Sequence, residues 1–476
     1  MVQGSKVVSG ATGKTHHQIV STRLSLEVQE VLFTGGFTIN KDTDGDFDDK
    51  WIKDRDQDKQ SPVCYARDTQ VKVTATFNVV KAPTSTVMVK IEATATFGAR
   101  TMKWKSDALP VNHGMNTLAV PLMTSDTKLP NWVNYYQASI AWKYTVTTAP
   151  NAPNDIGTTQ NDLYATLATP IDTKAVYWTL VDLSCKAAKK AANEDDFVDR
   201  VFAPFQSHTG DGNGIVRLRD GVHLTYYLNG RDTPPGNVEP RVWSTWGILN
   251  LPSGTGRCGG WKDVLMHTHG IHGVTSAREV CIYSKPETMF SCSVVFLVKN
   301  CDFTANIGLG PFPFHGTVDC VKRDGLAGQG KTNPHFVFGD HVLTVHGKTF
   351  YDPSYGVKMA ASKTGYETAA ISGLGLWGPI SQPVGFDQSG TLQLITKLCS
   401  RGFTLEQFDP VSNTLTNMKD KYGVASEQAI VNHSYNAVMT WRTTAPNQPN
   451  KGDWVYIPRE IADTDKFVML KWVGYP

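Results

Sequence analysis

The stretch GTGRCGGWKDVLMHTHG, residues 254–270, sets one cysteine among glycines and then runs into a helical pattern. Adjacent glycines open a helix badly, since each costs about 1 kcal/mol against alanine. Beyond them Trp261, Val264 and Leu265 share one helical face, and Gly270 supplies a stop. The spacing predicts a loop that enters a helix at Cys258. A thiol in that first turn meets the positive end of the helix dipole, which favours thiolate. Gly259 and Gly260 are expected to leave the sulfur reachable and to let the backbone approach a substrate. The free N–H groups of the helix start, Gly259 among them, are candidate donors to a developing oxyanion.

A nucleophilic thiol needs a base, and the base needs an orienter. The candidate pair lies in GDHVLTVHGKTFYDPSYG, residues 339–356. Residues 341–345 and 348–352 read as strands joined by the turn His346-Gly347, glycine at the second position suiting a type I′ hairpin. Counting back from that turn sets His341 directly opposite Asp352, with β-carbons about 5 Å apart on one face. A carboxylate there holds an imidazole in one tautomer. A three-residue turn would put the two on opposite faces. Of the competing histidines, His346 is consumed by the turn and His335 precedes the strand.

Upstream, TQVKVTATFNVV (69–80) and STVMVKIEATATFG (85–98) alternate polar and apolar residues, as do NTLAVPLMT and YYQASIAWKYTVT. Residues 17–148 are therefore expected to form an antiparallel β-sandwich of about six to eight strands. Residues 1–16 read as a flexible N-terminus; their GATGKT lacks the leading glycine of a phosphate loop, because position 8 is Val8. TTAPNAPNDIGTTQND places an exposed linker at 149–171. Helical spacing begins in 177–206, rich in Ala and Lys.

GRCGGWKDVLMHTHGIHG followed by DHVLTVHGKTFYDPSYG resembles the transglutaminase-like superfamily of papain-fold cysteine enzymes. The resemblance covers residues 172–365 and implies an α+β catalytic domain, with 366–476 a C-terminal extension partly packed on it. It implies Cys258 as nucleophile, His341 as general base and acid, and Asp352 as orienter. The family's His-x-Trp is here His341-Val342-Leu343. Trp243, Trp246 and Trp261 are candidates to wall the cleft or lend an indole N–H to the oxyanion, against the plainer reading of Trp243 and Trp246 as core aromatics. The implied chemistry is attack on a peptide or carboxamide carbonyl through a thioester. A protease, amidase, deamidase or transglutaminase would share the triad; hydrolysis is favoured because no motif marks an acceptor-amine site. The alternative from another class is a non-catalytic binding module.

Two metal sites are weighed and set aside. HTHGIH brings His267, His269 and His272 together in sequence, but on a continuous helix the first two point about 200° apart. DTDGDFDD, 42–49, alternates carboxylates like a calcium loop, yet the sixth position is Phe47 and the twelfth Lys53, leaving a solvated acidic turn. No cofactor is implied. The net charge of +2 gives no reason to expect nucleic acid, and no apolar run is long enough to span a bilayer. Eight cysteines without a CxxC pair read as reduced thiols. Without an apolar leader, the expectation is a cytoplasmic protein or one exported by another route. The expected partner is a protein or peptide substrate, with the sandwich docking on a partner or surface.

Overall fold

Polar and apolar residues alternate through Lys72–Lys81 and Val87–Phe97, and those strands bury nearly every second side chain. The computed structural model describes residues 4–9, 15–20, 24–227, 242–284, 288–289, 292–298, 326–332, 334, 337–338 and 340–377, with strands at 404–409, 414–417, 437–440, 454–458 and 468–472. The fold is α+β with more strand than helix. Contacts divide it into two units: Met1–Val201 with Thr268–Val274, and Phe202–His267 with Thr275–Pro476.

In the first unit a six-stranded sheet runs Leu109–Val111, Val87–Phe97, Asn134–Val146, Asn154–Thr166, Val63–Ala66, with Arg100–Lys105 also paired to Val87–Phe97. A four-stranded sheet runs Thr117–Thr124, Lys72–Lys81, Ser25–Thr34, Lys50–Ile52. Inward residues of both sheets make one hydrophobic cluster that includes Phe77, Val89, Ile91, Trp104 and Trp142. Buried indoles need acceptors. Trp104 Nε1 donates to Val71 O at 2.9 Å and Trp142 Nε1 to Thr159 Oγ1 at 3.1 Å.

That last bond explains a correction. The stretch expected as a linker is, over Asn154–Thr166, a central strand paired along Asn134–Val146. Its inward positions include Thr159 and Asn161, both buried, so the apolar half of the alternation is interrupted in the sequence. Only residues 147–153 form the turn.

The helical spacing over 177–206 forms helix α1 (Trp178–Ala187) and helix α2 (Glu194–Ser207). Between them Lys190 takes φ +69, and Lys190 N donates to Val133 O while Val133 N donates to Ala191 O. The backbone there pairs with a loop instead of continuing the helix. Asp42 is buried, accepting from Thr179 N (3.1 Å) and Thr179 Oγ1 (2.6 Å). It therefore caps α1, and the acidic turn is not wholly solvated as expected. Burial, and next His269, hold His272 down to about 3. Its neutral ring accepts from Leu167 N at 3.1 Å through Nδ1 and lies 2.8 Å from Ser184 Oγ through Nε2. α1 and the start of α2, expected to head the catalytic domain at 172, belong with this unit.

In the second unit, five strands run Val357–Ala360, Thr349–Asp352, Asp340–His346, Arg278–Ser284, Val468–Trp472, all antiparallel. A second sheet joins Thr288–Met289, Cys292–Val298, Ile371–Trp377 and Trp454–Pro458. Strands beyond residue 365 thus complete sheets begun before it, and no division falls at that expected boundary. A short parallel pair, Thr225–Tyr226 with Thr255–Gly256, leads into the region of Cys258.

Candidate active site

Helix α3 (Thr245–Asn250) and helix α4 (Cys258–Ile271) build the thiol's surroundings. α4 starts at Cys258 as expected, with Trp261 N donating to Arg257 O at 3.0 Å. Its end is Gly273 at φ +72, not Gly270: Val274 N donates to His269 O and Gly273 N to Gly270 O, a Schellman stop.

The glycines serve packing rather than access. A β-carbon on Gly256 would sit 2.3 Å from Ile248 Cδ1, and one on Gly259 2.5 Å from Trp243 Cε3. On Gly260 it would lie 2.9 Å from both Ile248 Cδ1 and Val242 O. The segment 242–250 can lie on the start of α4 only because these positions lack side chains. Asp263 pins it there, accepting from Thr245 N (2.7 Å) and Thr245 Oγ1 (2.9 Å), while Ser244 caps α3. Cys258 ends up 6% exposed, so the thiol is not left open as expected.

The tryptophans divide differently from expectation. Trp243 and Trp246 are half exposed, so neither is a core aromatic. Trp243 covers Gly259 beside the sulfur. Trp261 is fully buried and spends its indole N–H on Thr225 O at 3.2 Å, which removes it from the oxyanion candidates.

The histidine hairpin forms, turning one residue later than expected. His346 pairs with Thr349 and Val345 with Phe350, so the loop is Gly347-Lys348. Gly347 takes φ +56 and Lys348 does not take a positive φ, the II′ pattern rather than I′. The expected turn would have forced His346 into that conformation; glycine takes it instead. Both strands slide by one, which preserves side-chain parity. Continuing the register puts Asp352 across from Leu343, with His341 its diagonal neighbour on the same face.

That diagonal is bridged. His341 Nε2–H donates to Asp352 Oδ2 at 2.8 Å, both residues fully buried. Asp352 Oδ1 accepts from Ser354 N at 3.0 Å and Tyr355 N at 3.4 Å, which fixes the carboxylate. Among the described residues no hydrogen-bond partner reaches His341 Nδ1. Besides Asp352, the ionisable group that acts on the ring is Cys258. Burial works to strip the proton, but the Asp352 charge and hydrogen bond, with Cys258, outweigh it and push His341 up to about 10. The structure thus joins His341 to Asp352, and Cys258 acts on the same ring.

Three tyrosines escaped the sequence reading. Tyr226, Tyr355 and Tyr366 are buried, and each feels Cys258. Burial pushes all three hydroxyls well above the usual phenol range, so they keep their protons. Ring centroids lie 5.1 Å apart for Tyr226–Tyr355, 5.5 Å for His341–Tyr355 and 6.2 Å for His341–Tyr366. Tyr226 is set by the parallel pair, across from Gly256. The one available signal was Tyr355, three residues past Asp352 in the same turn.

Among the described residues no group of three His, Cys, Asp or Glu side chains is arranged to hold a metal. His269 lies edge-on to Phe197 and His272 is bonded as above. In the acidic stretch, Asp48 pairs with Arg55 Nη2 at 2.8 Å and takes the Ser61 hydroxyl, while Asp42 caps α1. His335 lies outside the described residues.

No protein-family model matches the chain. No curated protein matches it either. Among the solved structures that align, an alkylpurine DNA glycosylase of Pseudomonas fluorescens bound to DNA containing an abasic-site analogue does so at 6% identity with a TM-score of 0.18. The alignment covers 30% of this chain and 31% of that one, a likeness too slight to carry an argument about fold.

Proposed function

We propose that this chain is a thiol-dependent enzyme of transglutaminase-like type that cleaves peptide or carboxamide bonds, with Cys258 as nucleophile, His341 as acid and base, and Asp352 as orienter. The observation that carries the reading is the buried His341–Asp352 bond of 2.8 Å with Cys258 acting on the same ring. Cys258 Sγ attacks the carbonyl carbon, and the C–N bond breaks as His341 passes a proton to the leaving amine. A thioester remains. Water then adds to it, His341 accepting the water's proton, and the freed thiol returns with a carboxylic acid product. N–H groups in the first turn of α4, Gly259 included, have no acceptor within the helix and supply donors for the oxyanion.

Amine transfer would use the same acyl-enzyme with an amine in place of water. Mass spectrometry of a glutamine-containing peptide library, incubated with and without a primary amine, separates the two. Acid or cleaved products that vanish in Cys258→Ala are the expected result; amine incorporation would overturn hydrolysis. No product in either arm, with Cys258 labelled by iodoacetamide at pH 6 no faster than the other thiols, would leave a binding module. The two-sheet unit we assign to docking on a protein partner or substrate surface.

A further inference from the structure

Arg257 immediately precedes Cys258. Arg55, Arg200, Arg217 and Arg219 each pair with an aspartate. Among the described residues no carboxylate pairs with Arg257, and its Nε is buried without a hydrogen-bond partner. The neighbouring charges on α4 are engaged elsewhere: Asp263 with Thr245, and Lys262 with Glu279 at 2.5 Å.

What does hold Arg257 is an aromatic face. Its guanidinium carbon stands 5.2 Å from the centroid of the Tyr227 ring. Tyr227 takes φ +56, a conformation that a bulky residue adopts only under constraint, and Tyr227 N donates to Gly256 O at 3.1 Å. Its ring lies 4.8 Å from that of Tyr226, whose hydroxyl feels Cys258. The chain thus spends backbone strain to present a ring beneath the guanidinium of the residue that precedes Cys258. Stacking on a ring occupies the flat face of the guanidinium and leaves its N–H edge for a planar anion.

We propose that Arg257 recognises a carboxylate on the substrate, so that the preferred carboxamides carry a free carboxylate close to the bond that Cys258 attacks. The proposal rests on Cys258 being the reactive thiol.

Iodoacetate and iodoacetamide provide the test. They are nearly the same size, both lose iodide as the sulfur–carbon bond forms, and they differ by one carboxylate charge. Rates of alkylation at Cys258 of the full chain, read from the Cys258 peptide by mass spectrometry, give an iodoacetate-to-iodoacetamide ratio to set against a free-thiol standard. The ratio is expected to exceed that of the standard. It should fall on the order of tenfold in Arg257→Gln, the scale of losing one favourable unit-charge interaction in a partly wet cleft. Arg257→Lys should keep only part of the preference, since it keeps the charge and loses the planar fork stacked on Tyr227. A ratio unmoved by Arg257→Gln overturns the proposal and assigns any preference to His341. Equal slowing of both reagents in both variants also overturns it, showing a structural role. If neither reagent labels the native Cys258, the thiol reading itself falls, a result distinct from a reactive thiol with no anion preference.

Discussion

Asp352→Asn removes one charge from a buried pair while keeping its shape. His341 and Asp352 are both out of water, 2.8 Å apart. The folded protein holds the His341 proton up to about 10, against 6.5 for an unperturbed ring. The folded pKa is raised, so the stabilisation is present in full below pH 6.5 and is lost as pH climbs through 10. The interval between 6.5 and 10 corresponds to about 5 kcal/mol, and losing one partner of a buried pair costs about 3–5 kcal/mol. The variant is therefore expected to lose about 3–5 kcal/mol at pH 6 and markedly less at pH 10.5. Urea unfolding followed by circular dichroism at both pH values, on both proteins, measures this. Imidazole NMR should show the ring losing its proton far lower in the variant, where burial meets less opposition. Equal losses at the two pH values, or a native ring that titrates near 6.5, would refute the reasoning. Turnover should fall on the order of a thousandfold, as when a positioned base loses its orienter.

Gly259→Ala places a methyl 2.5 Å from Trp243 Cε3 and should cost about 1–3 kcal/mol by overpacking. Thermal unfolding should show most of that loss recovered when Trp243→Ala is added. Because burial holds His272 down to about 3, its share of the stability is full above pH 6.5. That share falls by about 1.4 kcal/mol for each pH unit below 6.5 until about 3. Denaturation midpoints between pH 6 and 4 should therefore slope less steeply in His272→Gln. Asp42→Ala deprives Thr179 N and Oγ1 of their acceptor at the start of α1 and should cost about 1–2 kcal/mol by urea titration. An unchanged midpoint would mean that the cap is replaced by water.

What the sequence disclosed and withheld follows from how each element buries its residues. Val87–Phe97 was legible because its inward face is apolar throughout. Asn154–Thr166 was not, because Thr159 and Asn161 face inward and bond Trp142 Nε1 and Ser61 O, a pairing invisible to hydropathy. The hairpin could be read to its parity and not to its register. Glycine at 347 was evident, but which loop position would take the positive φ depends on the neighbouring ladder. The glycines around Cys258 were rightly singled out and given the wrong reason, since the ring of Trp243 and the side chain of Ile248 arrive from residues before the motif. Tyr226 and Tyr366 had no signature because segments away from both motifs deliver them.

The His341–Asp352 pair is hard to explain as a device for stability. Its neighbours in the same sheet, Leu343 and Phe350, are fully buried hydrocarbon, and a pair of apolar residues would fill the same space. Taking a carboxylate and an imidazolium out of water costs several kcal/mol per ion, and well-packed apolar replacements of buried pairs are often neutral or stabilising. A fold that bears this cost also invests two backbone N–H groups in fixing Asp352 and surrounds His341 with Tyr355 and Tyr366. Each of these holds the imidazole in one orientation, with Nε2 occupied and Nδ1 left for another group. A structural pair needs no such second nitrogen, whereas a proton carrier beside a thiol does.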